Sequence, residues 1–147
     1  MNHPHSGSRE PIEPVSALVV RFYQRMWNDW DDSCVETTLA RDVTFRGSLS
    51  QQTVGRDGWR GYRDQIRRSV PDFHNEVLDL ISNDNRAAAR LRYTGTHLGP
   101  LLGIPATGRR FAYSGAAFFT AQDGLITDVW VLGDLNGLKD QLLGASG

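Results

Sequence analysis

An α+β fold around one continuous core is what this 147-residue sequence predicts, and three observations carry the prediction. Apolar side chains recur at helical spacing as far as Ile66. From Phe73 onward they follow the two-residue period of strands, and no strand–helix–strand alternation breaks the second half. A curved antiparallel sheet wrapped over three N-terminal helices satisfies all three. A chain of this length is near the common size of one domain. That domain is expected over residues 14–144, behind a flexible polar tail of residues 1–13.

The helices come first. Pro14 suits a first helical turn, and Val19, Phe22, Tyr23, Met26 and Trp30 then share one apolar face. Asp31 or Asp32 caps a second, short helix carrying Val35 and Leu39, because a carboxylate accepts from the orphan amides of the first turn. Val43 and Phe45 alternate as a short strand, and residues 47–55 read as a polar loop. Trp59, Tyr62 and Ile66 form the inner side of a third helix ending before Pro71. Its other side carries Arg56, Arg60, Arg63 and Arg67, a basic stripe whose ordinary explanation is a solvated face and whose alternative is an anion site.

Strands are expected over residues 73–82, 86–97, 109–121 and 125–133. They are separated by Asn83-Asp84-Asn85, by the run from Gly99 to Gly108, and by Asp123-Gly124. The Asp-Gly pair is the strongest hairpin signal, since a tight two-residue turn needs positive φ at both positions. Asp134 to Leu142 reads as a short closing helix.

Composition narrows the function. A formal charge of -1 offers no excess to attract a phosphate backbone or an anionic membrane, so neither nucleic acid nor membrane is an expected partner. No apolar run approaches the roughly 20 residues that span a bilayer, and the N-terminal residues lack an apolar signal core. Cys34, the single cysteine, excludes an intrachain disulfide and reads as core filler in a cytoplasmic protein. There is no GxGxxG, P-loop, HExxH or GxSxG motif. His3, His5, His74 and His97 are scattered and unpaired with carboxylates at metal-ligand spacing, so no metal and no cofactor is expected.

From Arg90 to Leu142 the order of short motifs resembles the SnoaL-like polyketide cyclases of the nuclear transport factor 2-like superfamily. These are Gly95-Thr96-His97-Leu98-Gly99, the run Gly103-Ile104-Pro105-Ala106-Thr107-Gly108-Arg109, Asp123-Gly124, Trp130, Asp134 and Gln141-Leu142. Trp27-Asn28, Gly55-Arg56 and Pro71-Asp72-Phe73 extend the likeness over most of residues 15–144. The resemblance implies a cone-like barrel around one pocket and a homodimer or larger homo-oligomer. It also implies cofactor-free acid–base chemistry of the cyclase, isomerase or lyase kind on a polyketide-like ring system. Members that close rings by aldol chemistry carry an Asp on the last strand beside the Trp position and a His on the preceding strand. The matching positions here are Val131 and Ala117, neither of which can move a proton. General acid–base work supplies roughly 10²–10⁴ in rate, so the aldol mechanism does not carry over unmodified.

Other residues then become candidates. His97 is the one histidine after the third strand begins to alternate, and shares parity with Tyr93 and Leu91. It is a candidate proton shuttle, the alternative being a pin for the glycine-rich loop that follows. Asp134 is either a base at the pocket rim or the N-cap of the closing helix. The resemblance places Trp27 and Tyr62 in the pocket wall and turns Phe111, Tyr113, Ala117 and Phe119 inward. With Tyr93 and Val131 they form the candidate binding set for a small hydrophobic or aromatic ligand. Arg90 and Arg109 are candidate anion contacts, with surface pairing the alternative. Strand alternation points Val129 and Val131 inward and Trp130 outward. Phe118, Trp130 and Leu132 then make an outer face for a dimer. Two functions follow: an enzyme using His97, Asp134 and a tyrosine, or a ligand-binding protein that has kept the pocket without the acid–base pair.

Overall fold

The structure is a computed structural model that describes residues 12–144; His3, His5 and most of the expected tail lie outside the described residues. The first helix, α1 (Val15–Arg21), continues as a π-helix over Phe22–Asn28. A 3-10 turn over Asp32–Cys34 leads into the short α2 (Val35–Thr38), with Asp31 accepting from the Ser33 amide at 2.8 Å. Then come β1 (Leu39–Arg46), β2 (Gln52–Val54), α3 (Gly55–Ser69), β3 (His74–Ser82), β4 (Arg86–Thr96), β5 (Arg110–Gln122), β6 (Leu125–Gly133) and α4 (Leu135–Leu142).

The six strands form one sheet in the order β2-β1-β6-β5-β4-β3. It curves over the helices as an open cone, the α+β architecture expected from sequence, with one difference: the sheet is mixed, because β1 pairs with β6 in parallel. Hairpin geometry fixes direction only where a short turn joins neighbours. β1 meets β6 only after the chain has run through α3 and the meander, and that pair is parallel. The short β2 lies inside the stretch read as a loop, because its residues are half-buried or exposed and show no alternation. The Asp123-Gly124 turn is as expected, with φ of 54° and 77°.

Strand alternation sorts the two faces. Ala89, Leu91 and Tyr93 of β4, Phe111, Tyr113, Ala117 and Phe119 of β5, and Val129 and Val131 of β6 are buried beneath the helices. Phe118, Trp130 and Leu132 stand on the outer face at 42%, 40% and 47% exposure. α1 supplies the opposing layer, with Phe22 and Tyr23 both packed edge-on against Phe119.

The π-helical segment changes which residues α1 buries. Its wider turn adds one residue per turn, so Phe22, Tyr23, Met26 and Trp27 all face the sheet. Trp30, expected on that face, is carried off it, 44% exposed with φ of 53°. The carbonyls at the end of the widened turns need donors, and α3 provides them. Arg63 Nη1 donates to the Met26 carbonyl at 3.2 Å and Arg67 Nη1 to that of Trp27 at 3.1 Å. Half of the predicted solvated stripe is therefore a set of helix-end clamps. Arg63 is only 2% exposed, paired with Asp32 at 2.7 Å and lying over the rings of Trp59 and Trp30.

Removing a buried, paired guanidinium strands its partners. Arg63→Ala is expected to lower unfolding free energy by about 3 kcal/mol in urea titration. A change below about 0.5 kcal/mol, the range of an ordinary surface substitution, would contradict the clamp.

Candidate functional site

Aromatic side chains from every layer converge where the π-helical segment meets α3 and the sheet. Phe22, Tyr23 and Trp27 come from α1 and its extension, and Tyr62 and Ile66 from α3. Phe45 and Ser48 come from β1 and the loop after it, Phe73 and Asn75 from the approach to β3, Tyr93 from β4 and Val131 from β6. Trp27 packs edge-on against Tyr62 with ring centroids 6.1 Å apart, while Phe73 lies parallel to Tyr93 at 5.9 Å. Two glycines make room. A Cβ at Gly47 would overlap the Tyr62 hydroxyl, and one at Gly115 the Tyr93 ring. The cavity measures about 20 Å³. Ligand pockets run to roughly 300–1,000 Å³, so a ligand enters only as these side chains give way.

Polar groups in the wall are few and neutral. Asn28 and Asn75 hold each other, the Asn28 amide donating to the Asn75 carbonyl at 2.8 Å and its oxygen accepting from the Asn75 N–H at 2.9 Å. The Tyr113 hydroxyl and Ser48 Oγ are 2.9 Å apart. Tyr23 and Tyr93 line the cavity, and their hydroxyls form no hydrogen bond among the described residues. The sequence has 4 tyrosines, and all of them turn into this interior. Burial raises every one of their pKa values. Tyr62 is pushed up to about 12 by desolvation, against the opposing pull of the Leu49 backbone and Ser48. At neutral pH these phenols are donors, not bases.

The candidates named from sequence divide. Trp27, Tyr62, Tyr93 and Val131 form part of the cavity wall. Phe111, Tyr113, Ala117 and Phe119 are buried on the same inner face but stand behind it. Ala117 and Val131, the two apolar residues that the resemblance sets at acid–base positions, are directly opposed across β5 and β6. His97 is fully buried but turned into its own loop. Its Nδ1 lies 2.9 Å from Thr107 Oγ1 and accepts from the Thr107 amide at 3.3 Å, while Nε2 faces the Ile104 carbonyl at 3.2 Å. Asp134 is exposed and caps α4, accepting from the Gly137 amide at 2.9 Å. Neither is part of the cavity wall. Arg90 and Arg109 are exposed. Cys34 is buried at the foot of α2.

Sequence reasoning passed over Phe45, Ser48, Phe73 and Asn75 as wall residues. Tyr23 was legible only as a member of the helix face. Asn75 carried a usable signal, an amide at an inward strand position three residues after Asp72, but its partner Asn28 is distant in sequence.

The chain matches the SnoaL-like polyketide cyclase family over residues 17–142 and belongs to it. No curated protein matches it by sequence. Among solved structures it is similar to TsrD from Streptomyces laurentii, at 30% identity and TM-score 0.76 over 87% of this chain and 93% of that one. It shares the fold of IdmH from Streptomyces antibioticus, at 24% identity and TM-score 0.76 over 88% of this chain and 99% of that one. The same holds for a SnoaL-like polyketide cyclase from Agrobacterium tumefaciens, at 23% identity and TM-score 0.76 over 88% and 98% of the two chains.

The raised phenol pKa values have a measurable consequence. A folded-state pKa above the unfolded value of roughly 10 stabilises the protein fully below pH 10, and that contribution is lost as pH rises through the folded value. For Tyr62 the window runs to about 12. Spectrophotometric titration of the native protein should show no phenolate absorbance at pH 10, with ionisation appearing only at higher pH or on unfolding. One tyrosine titrating near its ordinary value in the folded state would contradict the enclosed site.

Proposed function

We propose that the protein promotes cyclisation or isomerisation of a polyketide-like substrate without a cofactor, its rings held among Trp27, Phe73 and Tyr93. The observation that carries this is the convergence of neutral tyrosine hydroxyls on one aromatic cavity. Such donors stabilise charge as it develops on a carbonyl oxygen, and inside a water-poor site they do so strongly. In the reaction envisaged, a hydroxyl of Tyr23 or Tyr93 donates to a substrate carbonyl. A proton on the carbon between two carbonyls leaves to water, and the enolate carbon attacks a third carbonyl elsewhere in the same molecule. The protonated water then returns that proton to the resulting alkoxide, so the step is neutral overall.

His97 and Asp134 serve the loop and the helix in this proposal, the tyrosine hydroxyls supply the hydrogen-bond donors, and water is the proton acceptor. A second reading, a ligand-binding protein without turnover, is favoured by Val131 in the wall and Ala117 opposite it on β5, neither of which can act as an acid or base. In either case the outer face at Phe118, Trp130 and Leu132 is proposed to join two copies, a state that sedimentation at micromolar concentration decides.

Tyr93→Phe removes one hydroxyl and keeps the ring on Phe73. With aromatic β-keto esters that carry a further ring carbonyl as substrates, turnover is expected to fall by roughly 10²–10³, the usual loss of a single charge-stabilising donor. Affinity for 1,8-dihydroxyanthraquinone should change less than about tenfold. Tight binding with no turnover by the unmodified protein supports the binding reading. Loss of turnover in Asp134→Asn, where Asn still caps the helix, would return the acid–base role to Asp134.

A further inference from the structure

Ser48, in the loop after β1, and Phe73, just before β3, are the loop residues of the cavity wall. Ser48 faces inward, while Leu49, its neighbour, faces a separate cleft of about 310 Å³ between α3 and the segments 49–51 and 100–103. Ile66 belongs to both walls and is 6% exposed. The two spaces are thus divided at this point by a single side chain. Apart from Phe73, the rest of the wall is sheet and helix, whose opening would break backbone hydrogen bonds. Turning Ile66 breaks none.

We infer that this cleft is the outer half of a two-part ligand site, taking a neutral hydrogen-bonding substituent such as a hydroxyl or carboxamide, with Ile66 as the gate between the halves. The inference rests on the reading of the inner cavity as an aromatic ligand site. Among the described residues no charged one lines the cleft, although charged residues make up 22% of the chain. An ionic substituent would therefore have no counter-charge there. The polar groups it presents are Gln51, Gln65 and Ser69. Ser69 is already engaged, its Oγ donating to the Pro100 carbonyl at 2.6 Å and its own carbonyl accepting from the Leu98 and Gly99 amides at 2.9 Å each. The Gln51 and Gln65 side-chain amides have no hydrogen-bond partner among the described residues, so each has a donor and an acceptor to offer.

The loops themselves are fastened. Gly47 N donates to the Gln51 carbonyl at 2.9 Å, and His97 and Thr107 tie down the far end of the second loop. Ser50 and Leu102 hold positive φ, at 72° and 53°, which fixes tight bends on both rims. What moves is accordingly the Ile66 side chain. This gives His97 a defined part as a positioning residue for the cleft wall.

Two probes and one quencher test this. Tryptophan-fluorescence titration should show 1,8-dihydroxyanthraquinone-3-carboxamide binding about tenfold tighter than 1,8-dihydroxyanthraquinone, one good hydrogen-bonded contact's worth. Gln51→Leu combined with Gln65→Leu should erase that advantage and leave the plain anthraquinone unchanged. Equal affinities in the unmodified protein, or an advantage that survives both substitutions, would overturn the outer subsite while the inner pocket stands. If neither probe binds, the aromatic-pocket reading fails and takes the subsite with it. The gate is read separately. Ile66→Ala, or Ile66→Val should the former not fold, is expected to raise acrylamide quenching of the buried Trp27 and Trp59 several-fold in a Trp30→Phe/Trp130→Phe background. Unchanged quenching would overturn the gate.

Discussion

The widened π-helical turns over Phe22–Asn28 decide where the aromatic residues of the first helix fall. An α-helix through the same residues would leave Tyr23 and Trp27 on neighbouring but narrower arcs and would draw Trp30 toward the sheet. Phe22, Tyr23, Met26 and Trp27 face the interior, while Trp30, two residues beyond the helix end and at positive φ, stacks on Arg67, 4.5 Å from guanidinium carbon to ring centre. The cost of this geometry is a pair of carbonyls without partners inside the helix. Arg63 and Arg67 answer them from α3, and Asp32 and Asp64 hold Arg63 in turn. The cavity wall thus depends on a charged network lying outside it.

Inside, the chemistry is that of phenols and amides. The buried polar groups are arranged so that several meet each other: Asn28 with Asn75, Ser48 with Tyr113. That leaves Tyr23 and Tyr93 with unspent donors facing the space between the rings. Val131 makes its part of the wall apolar, and Ala117 lies opposite it on β5, behind the cavity. A buried carboxylate there would have required partners that this interior does not supply. The same interior suits hydroxyls, because a neutral phenol loses far less on burial than an ion does.

Much of the fold was legible in the residues. Alternation over β4, β5 and β6 placed Tyr93, Tyr113, Ala117 and Val131 on one face, and Asp123-Gly124 fixed the hairpin between the last two strands. Three features were not legible. A π-helix differs from an α-helix by one residue per turn, and a five-residue apolar pattern fits both until Trp30 has to be placed. The parallel β1–β6 pair joins segments 80 residues and more apart, with no local turn to announce its direction. The basic stripe looked solvated because its partners are backbone carbonyls, which no side-chain pattern reveals. For the site, aromatic positions were recoverable by parity and by family likeness. The polar pairs across the cavity were not, because each joins residues distant in sequence. His97 and Asp134 show the reverse limit: residue chemistry nominated them, while geometry turned one into its loop and the other onto a helix end.

The most direct test of the account is a crystal structure of the protein with 1,8-dihydroxyanthraquinone. The rings should lie between Trp27 and Tyr93, with Phe73 alongside and a ring carbonyl within hydrogen-bond distance of a Tyr23 or Tyr93 hydroxyl. Rings seated instead on the outer face against Phe118 and Trp130, with the interior unchanged, would contradict it.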